Sequence, residues 1–445
     1  MNAPPPLSPV GELRRLAELA WPVVIGQLGM VGLGVVDVMM VGRLGEEAIG
    51  AVGIGNTWSF AGLIFGLGTA SGIDPIVTQA FGAGEPRAAG RALLGGAAVL
   101  SLLCVPIALM HLLSGPAFAL LNQPESLVPI AAAYCRVIAL GVPAFLGFAL
   151  VRQFLQGKGL MRPAMWVLLA GNVLNVVLND ALIFGRYGLP ALGVEGAAWS
   201  TVIVRWAMFG LLLLLGWSVV REARPDRLPT VREIGGLASL ALPSGWHVAL
   251  EVWAFGSIAI FAGQLGNLEV AAHTIAMNII SVLFMVPLGL SAAAATRVGN
   301  LVGARAPWTP AARVTLAATA VIMTTWSTVL MVLPAYLVGL YTEAPDVTAL
   351  AVSILPIAAA FQLFDGAQIV SVGMLRGLGD TRRPAMFNLF AYWTLGVPLG
   401  WFLAFPWGLG LHGLWMGVSV GLGLVSVLFL HRLRTHARTG VVALV

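Results

Sequence analysis

The sequence predicts an all-α integral membrane protein: twelve transmembrane helices in two six-helix bundles, related by a pseudo-twofold axis along the membrane normal. Three observations carry that prediction. Of the 445 residues, 59% are hydrophobic and only 10% are charged, against about 25% charged in a soluble domain. Apolar runs near the roughly 20 residues that a spanning helix needs recur twelve times. Short motifs also return at a constant spacing, which makes the second half a copy of the first.

The elements follow in order. Met1 to Leu13 is proline-rich and polar and is expected to be loose, within a cytoplasmic tail over 1–15. It lacks the short apolar core and small-residue cleavage site of a signal peptide, so the first apolar run is expected to stay as a span. Spans over 16–42, 48–73, 90–114, 127–150, 161–185 and 193–219 make an N-lobe, 16–219. Val220 to Glu233, rich in arginine, proline and acid, lies in a cytoplasmic linker over 220–235. Spans over 236–262, 269–295, 312–337, 347–374, 384–406 and 410–432 make a C-lobe, 236–432, followed by a cytoplasmic tail over 433–445.

Charge fixes the orientation. One set of loops holds Arg14, Arg15, Arg87, Arg91, Arg152, Lys158, Arg162, Arg221, Arg224, Arg227, Arg232, Arg297, Arg305, Arg313, Arg376, Arg382, Arg383, Arg432, Arg434 and Arg438. The opposite set holds mainly Arg43 and Arg186, with Glu46, Glu47, Glu125, Glu343 and Asp346. Positive loops stay inside, so both termini are expected in the cytoplasm of a multi-pass protein of the inner (plasma) membrane, and the span count is even.

The same charges exclude other classes. A net charge of +5 spread singly between apolar runs forms no stripe that would neutralise nucleic-acid phosphates. Lys158, the one lysine, is followed by Gly159, whereas a phosphate-binding P-loop places serine or threonine after its lysine. Uphill transport by this chain must therefore draw on an ion gradient or a separate subunit. No His-Glu-x-x-His pair, Gly-x-Ser-x-Gly elbow or metal-spaced Cys/His cluster points to an enzyme. Cys104 and Cys135 fall inside apolar runs and read as small packing residues rather than a disulfide.

The repeat is specific. Leu-Ala-Trp-Pro ending at Pro22 returns as Leu-Ala-Leu-Pro ending at Pro243, 221 positions on. Leu44-Gly45 with Leu265-Gly266, Leu67-Gly68 with Leu288-Gly289, Gly82-Ala83 with Gly303-Ala304, and Arg162-Pro163-Ala164-Met165 with Arg383-Pro384-Ala385-Met386 keep the same 221. Six spans per half give both halves the same sense in the membrane, the arrangement of parallel repeats that rock about a central substrate path.

Val36-Asp37-Val38-Met39-Met40-Val41-Gly42-Arg43-Leu44-Gly45, Pro287-Leu288-Gly289, Arg297-Val298-Gly299-Asn300 and the turns Gln156-Gly157-Lys158-Gly159 and Arg376-Gly377-Leu378-Gly379-Asp380 are a further set of motifs. Together they resemble those of multidrug and toxic compound extrusion (MATE) transporters, of the NorM and DinF types. The resemblance covers nearly the whole chain. It implies a two-lobed secondary exporter that exchanges small amphipathic organic cations for protons or Na⁺. It needs no other cofactor and no nucleic acid, sits in the bilayer, and works as a single chain. A lipid-linked glycan exporter or flippase of the same architecture is the alternative reading. That cargo would want arginines along the path to grip phosphate, whereas the mid-span charge here is mostly acidic.

Four acids, Asp37, Asp180, Glu251 and Asp365, fall well inside apolar spans. An acid at the bilayer centre costs at least about 2.5 to 3.5 kcal/mol on insertion scales, which argues for a functional return. The structural alternative is that buried hydrogen bonds, or Arg136 and Arg205, pin them. Asp37 and Asp180 each lie about five residues from the outer end of a span, roughly 7 Å deep at 1.5 Å per residue. Asn172, Asn175 and Asn179 share one helical face with Asp180 at its edge. That set reads as an ion site, with an interhelical asparagine seam as the alternative. His247 sits one turn before Glu251, and Gln362, Asp365 and Gln368 occupy adjacent turns. By resemblance, Asp37, Asp180, Asn175 and Asn179 match the N-lobe cluster of the DinF-like branch. Glu251 and Asp365 match the carboxylates of helices seven and ten in the NorM-like branch. Na⁺, if it is the coupling ion, would sit at Asp37/Asp180 or at Glu251/Asp365.

Burial disfavours the charged carboxylate, so an entering proton or Na⁺ is expected to neutralise the site and release a bound organic cation. Asp37, Glu251 and Asp365 are the expected charged contacts of that cargo. His247, Gln362, Trp246 and Phe361 are expected beside them, the aromatics lending an adaptable wall. Pro22, Pro106, Pro143, Pro243, Pro287, Pro356 and Pro398 lie within predicted spans and can bend them. Pro22, 15 residues before Asp37 on the same helix, resembles the family's first-helix proline and is the expected hinge.

Overall fold

The computed structural model describes residues 7–444, and among them the chain is helical throughout, with no strand. Its helices are α1 (Pro9–Val41), α2 (Glu46–Ser71), α3 (Asp74–Ala83), α4 (Pro86–Leu112), α5 (Ser114–Leu120), α6 (Leu127–Ala139), α7 (Val142–Gly157), α8 (Arg162–Phe184) and α9 (Gly193–Leu215). Then come α10 (Trp217–Glu222), α11 (Val231–Leu265), α12 (Asn267–Gly303), α13 (Thr309–Val332), α14 (Pro334–Gly339), α15 (Pro345–Gly377), α16 (Arg382–Asn388), a π-helical segment (Leu389–Gly396), α17 (Val397–Ala404) and α18 (Gly410–Thr439). Eleven described helices are long and apolar enough to cross a membrane, and α6 with α7, bent by 48°, supplies a twelfth. Leu102 and Ile260, 72% and 66% exposed, belong to apolar helix faces that water would not wet favourably.

The helix starts are written locally. Thr230 and Glu233 form a capping box at the head of α11: the Thr230 amide donates to Glu233 Oε2 (2.7 Å) and the Glu233 amide to Thr230 Oγ1 (3.3 Å). Gly45 (φ 111°) and Gly266 (φ 152°), equivalent in the repeat, each precede a helix in a conformation that side chains rarely adopt. One expectation fails here. The stretch to Leu13 is not loose throughout, because α1 already begins at Pro9. The Gly11 amide donates to Ser8 Oγ (3.2 Å), and buried Glu12 takes a two-pronged ion pair from Arg297 at 2.6 and 2.9 Å. Residues 1–6 of the expected tail lie outside the described residues.

Proline position explains the breaks only in part. Pro143 starts α7 just after the α6–α7 bend, and Pro398 starts α17 just after the π-helical segment. Pro22, Pro106, Pro243, Pro287 and Pro356 lie inside continuous helices.

The chain forms two compact units. The first holds Ile25–Ile73 and Glu85–Gly245, the second Met1–Val24, Asp74–Gly84 and Trp246–Val445. Helix α1 passes from one to the other two residues after Pro22, and α11 two residues after Pro243. In the first unit α8 packs along α9, and α2 on α6. Its core joins Val41, Val52, Phe118, Tyr134, Cys135, Ile138 and Ile183 with small alanines that let helices approach closely. In the second unit α15 packs against α12, α13 and α18. There Gly82 and Gly303, another repeat pair, make reciprocal contacts: a Cβ on Gly82 would stand 2.1 Å from the Asn300 carbonyl, and one on Gly303 2.0 Å from the Gln79 carbonyl. Only glycine fits such a crossing.

Candidate functional site

In the first unit, polar side chains converge on Asp37, which α1 carries one turn before its end and which is 7% exposed. Two α8 asparagines donate to its Oδ1: Asn175 Nδ2 at 3.0 Å and Asn179 Nδ2 at 2.6 Å. Spacing four apart stacks these amides on one helix face, and Asn179 also reaches Asn175 Oδ1 at 3.3 Å. On α9 the Thr201 hydroxyl lies 3.1 Å from Asp37 Oδ2 and 3.0 Å from the Ala197 carbonyl. The carboxylate is thus cradled by up to three neutral donors. Among the described residues no arginine or lysine pairs with it. Arg205, whose charge acts on it, rests its guanidinium over the Phe145 ring at 5.1 Å, and Arg136 is exposed.

The asparagine face divides between the two readings of the sequence. Asn172 is glue: its Nδ2 donates to the Gly29 and Leu168 carbonyls, both at 2.8 Å, and ties α8 to α1. Asp180 does not join the Asp37 cluster either. Its carboxylate meets Arg186 at 3.0 Å near the end of α8, an ion pair whose arginine is 61% exposed.

In the second unit α11 places Glu251 one turn after His247, with 3.6 Å between Oε2 and Nε2. Gln368 from α15 donates to the same oxygen at 3.3 Å, and Asn388 from α16 at 3.5 Å. Asn388 also bonds the His247 carbonyl at 3.3 Å. Buried Asp365 shares α15 with Gln362 and Gln368, and its charge and that of Glu251 act on each other. Both polar atoms of Gln362, Gln368 Oε1, Asn388 Oδ1 and the Tyr392 hydroxyl are buried without a hydrogen-bond partner. Each such group costs about 1–3 kcal/mol unless something else binds it. Phe361 is buried, edge-on to Phe255 and Trp415 at 5.8 and 6.1 Å. Trp246 is 48% exposed and packs edge-on against Trp253.

Thr201, Asn388 and Tyr392 escape a reading of the sequence that follows intramembrane acids. The available signal was wider: any polar side chain well inside an apolar run.

Both donor sets are hard oxygens, suited to a proton or an alkali cation rather than a soft metal. No group of three or more His, Cys, Asp and Glu that would hold a metal ion occurs among the described residues. Both cysteines are free.

Comparison with known proteins agrees with the duplication. The MatE family matches twice, over residues 22–179 and 243–402, starts that lie 221 apart. The multidrug resistance protein NorM of Burkholderia vietnamiensis is 37% identical, across 98% of this chain and 96% of its own. The multidrug resistance protein PmpM of Pseudomonas aeruginosa is 35% identical, across 96% and 92%. The crystal structure of a eukaryotic MATE transporter superposes with a TM-score of 0.87 at 25% identity, covering 97% of this chain and 98% of the other.

Proposed function

The chain belongs to the MatE family, and from that premise we propose how it works as a multidrug efflux transporter: by exchanging organic cations for protons or Na⁺ at buried carboxylates. The single observation that carries this reading is the state of Asp37, Glu251 and Asp365. Each is at least nine-tenths buried, and among the described residues none is neutralised by arginine or lysine. A buried acid left charged is costly, so each favours either a proton or a cation as its companion.

The amides supply the switch. An asparagine side chain presents N–H to a bare carboxylate and, on turning, its carbonyl to a cation. In the structure Asn175 and Asn179 donate to Asp37; with Na⁺ bound, their oxygens and Thr201 would ligate it. Protonation of Asp37 would reach the same end by removing the charge. Either event weakens the hold on a cationic cargo, so cargo and coupling ion compete for the same acids and exchange becomes obligatory.

In this reading the chain acts as a transporter rather than an enzyme, alone in the inner membrane, with both termini cytoplasmic. Asp37, Glu251 and Asp365 hold the cationic group of the cargo, with His247, Gln362, Trp246 and Phe361 beside the last two, and Pro22 serves as hinge. Two lobes, 16–219 and 236–432, are the moving parts of alternating access. Asp180, through Arg186, stays outside the exchange.

The test is dye efflux from proteoliposomes with a proton gradient or a Na⁺ gradient imposed separately. The reading expects one of the two to drive uphill efflux. Movement only down the dye's own gradient, indifferent to both ions, would indicate a passive channel.

A further inference from the structure

The longest departure from α-geometry among the described helices is the π-helical segment Leu389–Gly396, which begins directly after Asn388. Wide π-turns are rare and concentrate at functional sites. Here the segment is clamped on two sides. Trp393 Nε1 donates to the Leu250 carbonyl of α11 at 3.0 Å. A Cβ on Gly396 would meet Gly421 Cα of α18 at 3.3 Å. Pro398, just beyond the segment, lacks the N–H that would bond the Thr394 carbonyl within it, so the wide turn also accommodates proline.

What the segment presents is Tyr392. Four residues after Asn388, it projects from nearly the same helix face. Its ring is fully buried and edge-on to Phe255, with centroids 6.0 Å apart. Its hydroxyl has no hydrogen-bond partner and lies within electrostatic reach of both Glu251 and Asp365. Phenylalanine would fill this space without leaving a polar atom unpaired. A buried tyrosine with an orphaned hydroxyl, within electrostatic reach of two acids, is costly unless the hydroxyl has a partner during the cycle.

We infer that the Tyr392 hydroxyl is a direct ligand of the coupling cation at the Glu251/Asp365 cluster, brought there by the π-helical turn. The inference rests on the exchange reading above and adds a residue to it. A phenol oxygen offers lone pairs to an alkali cation and hydrogen-bonds a protonated carboxyl. It therefore serves Na⁺ and H⁺ alike, alongside the unpaired amide oxygens of Gln362, Gln368 and Asn388.

The experiment is thermal unfolding of the full-length purified protein in detergent, titrated with NaCl at constant ionic strength and, separately, with acid. Wild type, Y392F and E251Q are compared. A cation that binds the folded state raises Tm with concentration. Y392F should match or exceed wild type without the cation, because it deletes an unpaired polar atom. It should need about tenfold more cation for half-maximal stabilisation, the loss of one bond to a charged partner. E251Q should lose the share of the response owed to this cluster and keep that of Asp37. A Y392F that titrates like wild type while E251Q has lost that share overturns this inference and leaves the exchange reading standing. A Y392F that is destabilised without cation, or does not fold, makes the hydroxyl structural and also overturns it. E251Q responding like wild type takes the cation away from this cluster and overturns the inference, and wild type indifferent to both Na⁺ and H⁺ defeats the underlying reading as well.

Discussion

The two polar clusters solve the problem of a buried acid in opposite ways. Around Asp37 the hydrogen-bonding neighbours are neutral and up to three donate to the carboxylate; of the buried atoms of Asn175 and Asn179, Asn179 Oδ1 alone lacks a partner. Around Glu251 two acids share one interior, the amide donors of Gln368 and Asn388 stand at 3.3 and 3.5 Å, and unpaired oxygens and nitrogens accumulate. The first cluster is organised before anything binds. The second is under-satisfied, and gains most from a cation or cargo that supplies the missing partners. Repeat symmetry does not enforce either design: the position equivalent to Asp37 is Ile258, and that equivalent to Glu251 is Met30. Duplication set the helices, and the chemistry diverged upon them.

The largest effect should come from the acids. Asp37→Asn is expected to abolish gradient-driven efflux in proteoliposomes while the protein still folds, since an amide keeps the shape and needs no counter-charge. Retained transport with normal ion dependence would remove Asp37 from the coupling path. Next, stability should separate the clusters. Asn179→Ala takes a donor from a carboxylate and should cost about 1.5–3 kcal/mol of folding stability. Gln362→Leu removes two unpaired polar atoms and should be neutral or stabilising by up to about 1 kcal/mol without cation. Equal losses in the two variants, measured by thermal unfolding, would erase the contrast.

Much of this was legible before any coordinates. Twelve apolar runs, the 221-residue repeat and the four acids all follow from residue type and spacing, and the helices fall close to the predicted spans. What could not be read was partnership across helices. Asn172, Asn175 and Asn179 look alike in sequence, yet one bonds backbone and two bond Asp37. Asp180 looks like Asp37 in depth, but Arg186, six residues on, claims it. Glu12 reads as part of a loose tail until Arg297, far along the chain, is placed beside it. Tertiary pairing of this kind depends on rotation of each helix about its axis, which hydrophobic periodicity in an all-apolar run hardly specifies.

Smaller effects sharpen the comparison from outside it. Asp380, in the turn between α15 and α16, meets Arg432 Nε at 2.5 Å and His436 Nε2 at 2.8 Å. Burial pushes its carboxyl up, but the bonds from His436 and Arg432 outweigh it and hold the group below the usual aspartate range. A depressed folded-state value means the contribution is present at neutral pH and disappears as pH falls through that lowered value. Asp380→Asn should therefore lower folding stability at neutral pH, by about 1–2 kcal/mol after solvent screening, and lose its effect in strong acid. Asp180→Asn should do least: an ion pair with an exposed arginine is worth about 0–1 kcal/mol, and efflux should persist. A coupling defect from Asp180→Asn would return it to the Asp37 site.

Competition at the acids is the claim on which the rest depends, and equilibrium binding reads it directly. A fluorescent organic cation is titrated into purified wild type and Asp37→Asn, each at several Na⁺ concentrations and several pH values. The account predicts that Na⁺ or H⁺ raises the apparent Kd of the dye in wild type, in the manner of a competitor, and that the variant loses part or all of that dependence. Dye affinity unchanged by either ion in wild type would contradict it.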